Sequence, residues 1–148
     1  INTGKNSEYS INCDSIIGKH ENFIGHFIHG LKLKSYEFKK YKTKKDSKTY
    51  LINIIGNKNK TSPQDQIKFK ALEEGTFFAR DLVSEPGNVL HPDEYAKRIA
   101  SLRKIGLKIK IFDKTKLKKL GMNALLGVGQ GSVRGVIFSN HGMEWSKK

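Results

Sequence analysis

Hydrophobic positions in the middle of the chain recur at a spacing of three and four residues and predict a long amphipathic helix. They are Ile67, Ala71, Leu72, Gly75, Phe78, Ala79, Leu82 and Val83. Thr61 or Ser62 suits the N-cap of this helix, with Pro63 at its first position. Pro86 lacks a backbone donor and Gly87 tolerates positive φ, so the helix must end close to them. We expect about 20 helical residues, roughly 30 Å in length.

Two apolar patterns precede this helix. Residues 23–38 carry hydrophobic side chains at helical spacing and predict a helix with one buried face. Residues 50–55 form a short, β-branched apolar run between turn-forming residues, which predicts a buried strand. Residues 1–22 show little periodicity, and a short buried piece around Ile11 and residues 16–17 is all that they suggest.

A new series of elements follows residue 91. Pro92 suits the first turn of a helix, whose apolar positions run through residues 95–102 and which Gly106 closes. Residues 107–112 alternate between hydrophobic and charged side chains and predict a strand.

The last part of the chain continues this pattern. Asp113 is placed to cap a short helix that Gly121 ends, and residues 124–128 form a second candidate strand. The order strand, helix, strand predicts a parallel α/β unit. Residues 139–142 (SNHG) are predicted to interrupt the strand that would follow.

Residues 80–92, between the two main helices, predict a stiff elbow because prolines at 86 and 92 flank a Gly-Asn pair. Residues 79–90 (ARDLVSEPGNVL) resemble the elbow of the leucyl aminopeptidase, or cytosol aminopeptidase, family, in which a long helix joins two domains. A second similar segment, residues 118–132 (KKLGMNALLGVGQGS), follows at the expected distance, and residues 36–42 (YEFKKYK) resemble a run near the end of the family's N-terminal domain. The resemblance covers residues 23–132.

This resemblance implies an α/β fold in three parts. Residues 1–60 would be the C-terminal part of an α/β N-terminal domain, and residues 61–90 the linker helix with its Pro-Gly elbow. Residues 91–148 would be the first strands and helices of an incomplete catalytic domain. The resemblance further implies a cytoplasmic, hexameric metalloexopeptidase that releases N-terminal amino acids, leucine-like ones preferred, from peptide substrates.

Enzymes of this family hold two divalent metal ions, manganese or zinc, which polarise the scissile carbonyl and generate a nucleophilic hydroxide. Their ligands, a lysine, three aspartates and a glutamate, lie in motifs of the type Gly-Lys-Gly-Xaa-Xaa-Phe-Asp-Thr/Ser-Gly-Gly and Asn-Thr-Asp-Ala-Glu-Gly-Arg. Neither motif occurs in residues 1–148. We therefore assign no catalytic, cofactor-binding or metal-binding residue, and we expect the 148-residue chain to be inactive alone.

Other chemistry-bearing residues have simpler interpretations. A metal site on His20, His26 and His29 would lack a carboxylate or cysteine to complete its ligand set. Capping of helix ends explains the clustered carboxylates Asp81, Glu85, Asp93 and Glu94. Neither Ser84 nor Ser132 has neighbours that would form a Ser-His-Asp triad.

Residues 127–132 (GVGQGS) invite comparison with phosphate-binding loops. Their spacing is Gly-Xaa-Gly-Xaa-Gly, and no lysine follows, so they match neither the dinucleotide fingerprint nor the P-loop. We expect a tight connection between strands here.

Composition agrees with a globular protein, since 36% of the residues are hydrophobic and 28% are charged. No apolar run approaches the ~20 residues of a membrane-spanning helix, and no signal peptide is recognisable. The first residue is Ile1 rather than methionine, from which we expect a preceding segment. The single cysteine, Cys13, excludes an internal disulfide and fits a reducing compartment such as the cytoplasm.

The formal net charge is +14, and lysine supplies most of the basic residues. Lysines concentrate in residues 39–48, with aromatic residues at 36, 38 and 41. We favour a solvated surface for this stretch, while contact with a nucleic-acid backbone is the alternative, and some members of the resembling family bind DNA. A truncated, non-catalytic binding or oligomerisation module is accordingly the second functional hypothesis.

Overall fold

The computed structural model describes residues 7–15, 22–43, 50–56, 61–134 and 136–142. It contains both helices and strands, in agreement with the predicted α/β class. The chain divides into two compact units, Ile1–Val83 and Ser84–Lys148, which we call unit 1 and unit 2.

Unit 1 contains a two-stranded parallel sheet. Strand β1 (Ser7–Asn12) pairs in register with strand β2 (Tyr50–Ile55), which confirms the predicted strand at 50–55. The prediction that β2 is buried was wrong, because Leu51 and Ile55 are more than half exposed. A strand in a two-stranded sheet has one neighbour, and the apolar run alone does not supply a second layer to cover it.

A short 3-10 turn, Cys13–Ser15, follows β1, and Cys13 is buried as a free thiol. Ile11 is half-buried, whereas residues 16–17 of the proposed buried piece lie outside the described residues.

Both predicted helices of unit 1 are present. Helix α1 (Phe23–Lys34) ends before residue 38, the predicted end. The Ser35 amide closes it by donating to the carbonyls of Leu31 and Lys32. Helix α2 (Pro63–Ser84) has 22 residues, close to the predicted length, and none of them is buried. Ser62 caps α2, since its hydroxyl oxygen accepts a hydrogen bond from the Asp65 amide at 3.1 Å.

Helices α1 and α2 meet through aromatic side chains. The Phe69 ring lies 4.9 Å from the ring of His26 and 5.1 Å from that of His29, measured between centroids. The Tyr36 ring lies 5.2 Å from that of Phe77. These contacts indicate that His26 and His29 are packing residues.

Two hydrogen bonds supplement this packing. The Tyr36 hydroxyl donates to Asp81 Oδ1 at 2.7 Å, and Arg80 Nη1 donates to the Leu33 carbonyl at 2.6 Å. They connect the C-terminal turns of α2 to the end of α1 and the segment that follows it.

Unit 2 begins with the elements that the sequence predicted. Helix α3 (Pro92–Ser101) continues into a 3-10 turn, Leu102–Ile105, which Gly106 ends at a φ of 90°. A residue other than glycine would be strained at this positive φ. Gly106 therefore allows the chain to turn into the next strand. Strand β3 (Lys108–Phe112) follows, as predicted.

Two short helices occupy the next segment. Helix α4 (Lys114–Lys119) is capped as predicted, since Asp113 Oδ1 accepts from the Lys116 amide at 2.8 Å. The candidate strand at 124–128 was wrong, because helix α5 (Asn123–Val128) lies there. A short apolar run does not distinguish strand from helix, and alanine and leucine in this segment favour the helix.

Strand β4 (Phe138–Gly142) pairs with β3 in antiparallel register, from Phe112 opposite Phe138 to Lys108 opposite Gly142. The predicted parallel unit was therefore wrong, as was the prediction that residues 139–142 interrupt the strand. The apolar pattern specifies which residues face inward but carries no information about strand direction.

The core of unit 2 lies between α3, β3 and α4. Its buried hydrophobic residues are Ala96, Ile99, Ile109 and Leu117, of which Leu117 is completely buried. Among the residues that the structure describes, no helix is both long and apolar enough to cross a membrane.

Candidate functional site

The elbow itself is a hydrogen-bonded turn. The amides of Val89 and Leu90 both donate to the Pro86 carbonyl at 2.9 Å. His91 then adopts an extended conformation as the N-cap of α3, and its carbonyl accepts from the Tyr95 amide at 2.9 Å. The second proline thus opens α3 as the sequence indicated.

A buried carboxylate anchors the elbow to α3. The Glu85 side chain is 1% exposed, and Arg98 Nη1 donates to its Oε2 at 2.7 Å. Arg98 Nε also donates to Glu94 Oε1 at 3.1 Å, one turn earlier on α3. The Glu85 hydrogen bond, followed by that of Glu94, holds the pKa of Arg98 above its usual value, although burial opposes this.

A second polar group lies at the start of α3. His91 Nδ1 contacts Asp93 Oδ1, and Arg134 Nη1 lies 2.5 Å from His91 Nε2. The His91 ring therefore bridges a carboxylate and a guanidinium, and it joins the elbow to the segment that follows α5.

Two opposing effects determine the ionisation of Asp93. Burial raises the pKa of this carboxyl, whereas the hydrogen bond from His91, the backbone and the neighbouring positive charges lower it. The net effect is a pKa below the ordinary value, so Asp93 is the anionic end of this group.

The glycine-rich segment is tightly packed where it follows α5. Residues Gly129–Gly131 form a 3-10 turn, and a Cβ added to Gly129 would lie 1.6 Å from Val136 Cγ2. Only glycine fits there. The expected tight connection between strands was wrong, since the segment joins α5 to the approach to β4.

The prediction that helix capping explains all four clustered carboxylates was wrong. Asp81 accepts from Tyr36, and Glu85 and Glu94 pair with Arg98. Asp93 and Glu94 do lie in the first turn of α3, but their side chains contact His91 and Arg98. Of these contacts, Asp81 with Tyr36 and Glu85 with Arg98 join different segments, so local position does not reveal them.

The structure does not bring together the residues considered for a catalytic triad. Ser132 Oγ accepts from the Arg134 amide at 3.3 Å, and no hydrogen bond in the described part of the chain links Ser84 or Ser132 to His91. His20 lies outside the described residues. The assignment of no catalytic or ligand-binding residue stays a prediction.

The described residues do not fit a pair of metal ions. Within residues 7–15, 22–43, 50–56, 61–134 and 136–142, no three histidine, cysteine, aspartate or glutamate side chains form a group that could hold a cation. The carboxylates of the elbow are instead held by arginine and histidine.

Two residues of this site, Arg98 and Arg134, were not predicted from the sequence. Arg98 follows Glu94 by four residues, and this spacing on a helix is a recognisable signal for an ion pair. Arg134 lies 43 residues from its partner His91, and no local pattern predicts that contact.

Residues 77–146 match the family model described as cytosol aminopeptidase family, catalytic domain. The match extends past Ser132, where the resemblance recognised in the sequence ended, and includes both the elbow and the glycine-rich segment.

Curated relatives agree with this match. A probable cytosol aminopeptidase of Bradyrhizobium sp. is 42% identical over 114 residues, which cover 71% of this chain and 22% of the relative. That of Agrobacterium fabrum is 44% identical over 114 residues, covering 73% and 23% respectively. The chain thus spans less than a quarter of the length of the curated relatives it matches.

Solved structures show a similar fold. The bottromycin maturation enzyme BotP has a TM-score of 0.65 at 25% identity, over 79% of this chain and 25% of that one. A structure of the same enzyme in complex with Mn has a TM-score of 0.62 at 24% identity, over 78% and 24%. Sequence and fold lead to one conclusion: the chain belongs to the cytosol aminopeptidase family.

Proposed function

We propose that the chain is part of a metal-dependent leucyl aminopeptidase that releases N-terminal amino acids, leucine-like ones preferred, from peptides. The match of residues 77–146 to the catalytic domain carries this proposal. Two divalent cations, manganese or zinc, would supply the activated water and polarise the scissile carbonyl.

Residues 1–148 by themselves are inactive in this proposal. A two-metal site requires several carboxylates that are free to bind cations, whereas Glu85 and Glu94 are engaged by Arg98, and Asp93 by His91. The role of the elbow is then structural: it fixes the start of the catalytic domain, and the metal ligands come from sequence outside these residues.

The test is hydrolysis of leucine p-nitroanilide by the purified 148-residue chain with added manganese or zinc. We expect no activity, while circular dichroism shows that the chain is folded. In parallel, the coding sequence downstream of Lys148 should contain the two metal-binding motifs in an open frame.

Activity that a chelator abolishes would overturn the proposed inactivity, and the histidines at 20, 26, 29 and 91 would be the first to replace. A stop codon after Lys148 would favour the non-catalytic module instead. We further propose a cytoplasmic hexamer for the whole protein, which light scattering on the full-length enzyme tests.

A further inference from the structure

His91 connects two parts of unit 2 that are distant in the sequence. Its ring contacts the Asp93 carboxylate in the first turn of α3, and Arg134 Nη1 lies 2.5 Å from its Nε2. Within the part of the chain that the structure describes, these are the charged groups in hydrogen-bonding contact with the ring. The His91 side chain is 19% exposed, so most of the ring is shielded from solvent. Its two partners therefore dominate its polar environment.

The segment that contains Arg134 is held at two places. At the first, Gly129 packs so closely that an added Cβ would lie 1.6 Å from Val136 Cγ2. At the second, Arg134 contacts His91, and the Arg134 amide donates to Ser132 Oγ at 3.3 Å. The Ser132 amide in turn donates to the Gly129 carbonyl at 3.2 Å. The first attachment is steric and independent of pH, whereas the second involves an imidazole that can gain a proton.

The two contacts of His91 respond differently to that proton. A guanidinium has only donors, so Arg134 can hydrogen-bond to Nε2 only while this nitrogen carries no proton. A carboxylate only accepts, so Asp93 can pair with a proton on Nδ1 whether the ring is neutral or charged. Protonation therefore keeps the Asp93 contact, and it places two like charges at close range where the Arg134 contact was.

We propose that His91 is a proton-sensitive latch, which holds Arg134 to the elbow near neutral pH and releases it on acidification. Histidine is the side chain whose charge ordinarily changes between about pH 5 and 8. The attachment of the elbow to α3 should persist, because Arg98 pairs with Glu85 and Glu94 without involving His91. Acidification would thus loosen the end of the glycine-rich segment and leave the core of unit 2 in place.

Asp93 does not produce the same transition. Its pKa lies below the ordinary carboxyl value, so Asp93 stays anionic between about pH 7.5 and 5.5. The release of Arg134 and the acid destabilisation due to Asp93 therefore fall in different pH ranges and can be measured separately.

The test is NMR spectroscopy of the isotope-labelled 148-residue chain between about pH 7.5 and 5.5. Long-range correlations of the ring nitrogens show which nitrogen of His91 carries a proton, and we expect Nε2 to be unprotonated at the upper pH. Hydrogen exchange, corrected for the intrinsic effect of pH, reports on the Ser132 and Arg134 amides. Their protection should fall about three- to tenfold as His91 becomes protonated, since a partly exposed hydrogen bond to a charged group is lost.

Two variants separate the partners of the latch. His91→Gln offers an acceptor but does not titrate, so its amide protection should not change with pH. Arg134→Gln removes the guanidinium, so protection of the Ser132 amide should be low throughout the range and independent of His91 protonation. His26→Gln is the matched control, because His26 packs against Phe69 in unit 1 and its replacement should leave the pH response unchanged. Circular dichroism melting checks that each variant is folded.

Three results would overturn the proposal: a protonated Nε2 at the upper pH, amide protection that stays constant as His91 is protonated, or the same fall in His91→Gln as in the unmodified chain. If His91→Gln does not fold, Arg134→Gln decides, since a pH response that survives without the guanidinium would also refute the latch. Peptidase activity is not a readout, so the result is independent of the proposed function.

Discussion

The two units bury their hydrophobic residues to very different degrees. In unit 2, four hydrophobic residues from α3, β3 and α4 are at most 7% exposed. In the described part of unit 1, only Cys13, Ile24 and Gly25 are buried, and α2 has no buried residue along its 22 positions. An amphipathic pattern thus becomes a core only where a second layer covers it.

The exposed residues of α2 show this most clearly. Ile67, Leu72 and Val83 fit the predicted apolar face, yet they are 70%, 50% and 87% exposed. Unit 1 relies on aromatic contacts around Phe69 and Tyr36, and unit 2 on buried aliphatic side chains and the Glu85–Arg98 pair. Stability should therefore be unequal, with unit 1 opening more readily.

The largest effect should come from the core of unit 2. Leu117→Ala should lower the free energy of unfolding by about 3 kcal/mol, because it removes buried methyl groups and leaves a cavity. Urea unfolding followed by segment-resolved hydrogen exchange measures this loss in unit 2. Leu120→Ala is the matched control, since Leu120 is 52% exposed and its replacement should cost less than about 0.5 kcal/mol. Equal losses would contradict the core assignment.

Breaking the buried ion pair should have the next largest effect. Arg98→Met removes the guanidinium that pairs with the buried Glu85 carboxylate, so the urea midpoint should fall. The double variant Glu85→Gln/Arg98→Met should recover part of the loss, because no buried charge remains. Lys97→Met, at the exposed neighbouring position, is the control, and a midpoint as low as that of Arg98→Met would refute the prediction.

A smaller effect is expected in unit 1. Tyr36→Phe removes the hydrogen bond to Asp81 and keeps the ring against Phe77, so the cost should be about 0.5 kcal/mol. Hydrogen exchange of the α2 amides should accelerate, while that of α3 should not. Tyr9→Phe, at a position 55% exposed, should change neither, and faster exchange in α3 would show that the two units do not open separately.

The smallest effect should appear as pH dependence in unit 2. Because the pKa of Asp93 is lower when folded than when unfolded, its contribution to stability is present above about pH 4 and is lost as the pH falls through the folded pKa. The urea midpoint of the unmodified chain should therefore fall more between pH 5 and 2 than that of Asp93→Asn. Glu74→Gln, an exposed position on α2, should follow the unmodified chain. Parallel curves for Asp93→Asn would contradict the role of the His91 contact.

Much of the local structure could be predicted from the sequence. Ser62 and Asp113 cap their helices as expected, and Gly106 ends the segment after α3, because side-chain hydrogen bonds and backbone sterics act within a few residues. The elbow and the family resemblance could also be recognised, because each rests on contiguous residues.

Much of what failed depended on partners distant in the sequence. Strand β4 is antiparallel to β3, because the direction of pairing is decided by elements that pack from elsewhere. The strand predicted at 124–128 failed for a local reason, since a short apolar run does not distinguish strand from helix. The contact of His91 with Arg134 spans 43 residues and has no local signal.

By itself, the sequence determined helices α1 to α4, the caps at Ser62 and Asp113, the elbow and the family, since each depends on neighbouring residues and on contiguous motifs. The tertiary structure alone decided which apolar faces became a core, and that Glu85 and His91 each meet an arginine from another segment. Burial and ion pairing require side chains to meet in space, and only the folded chain brings them together.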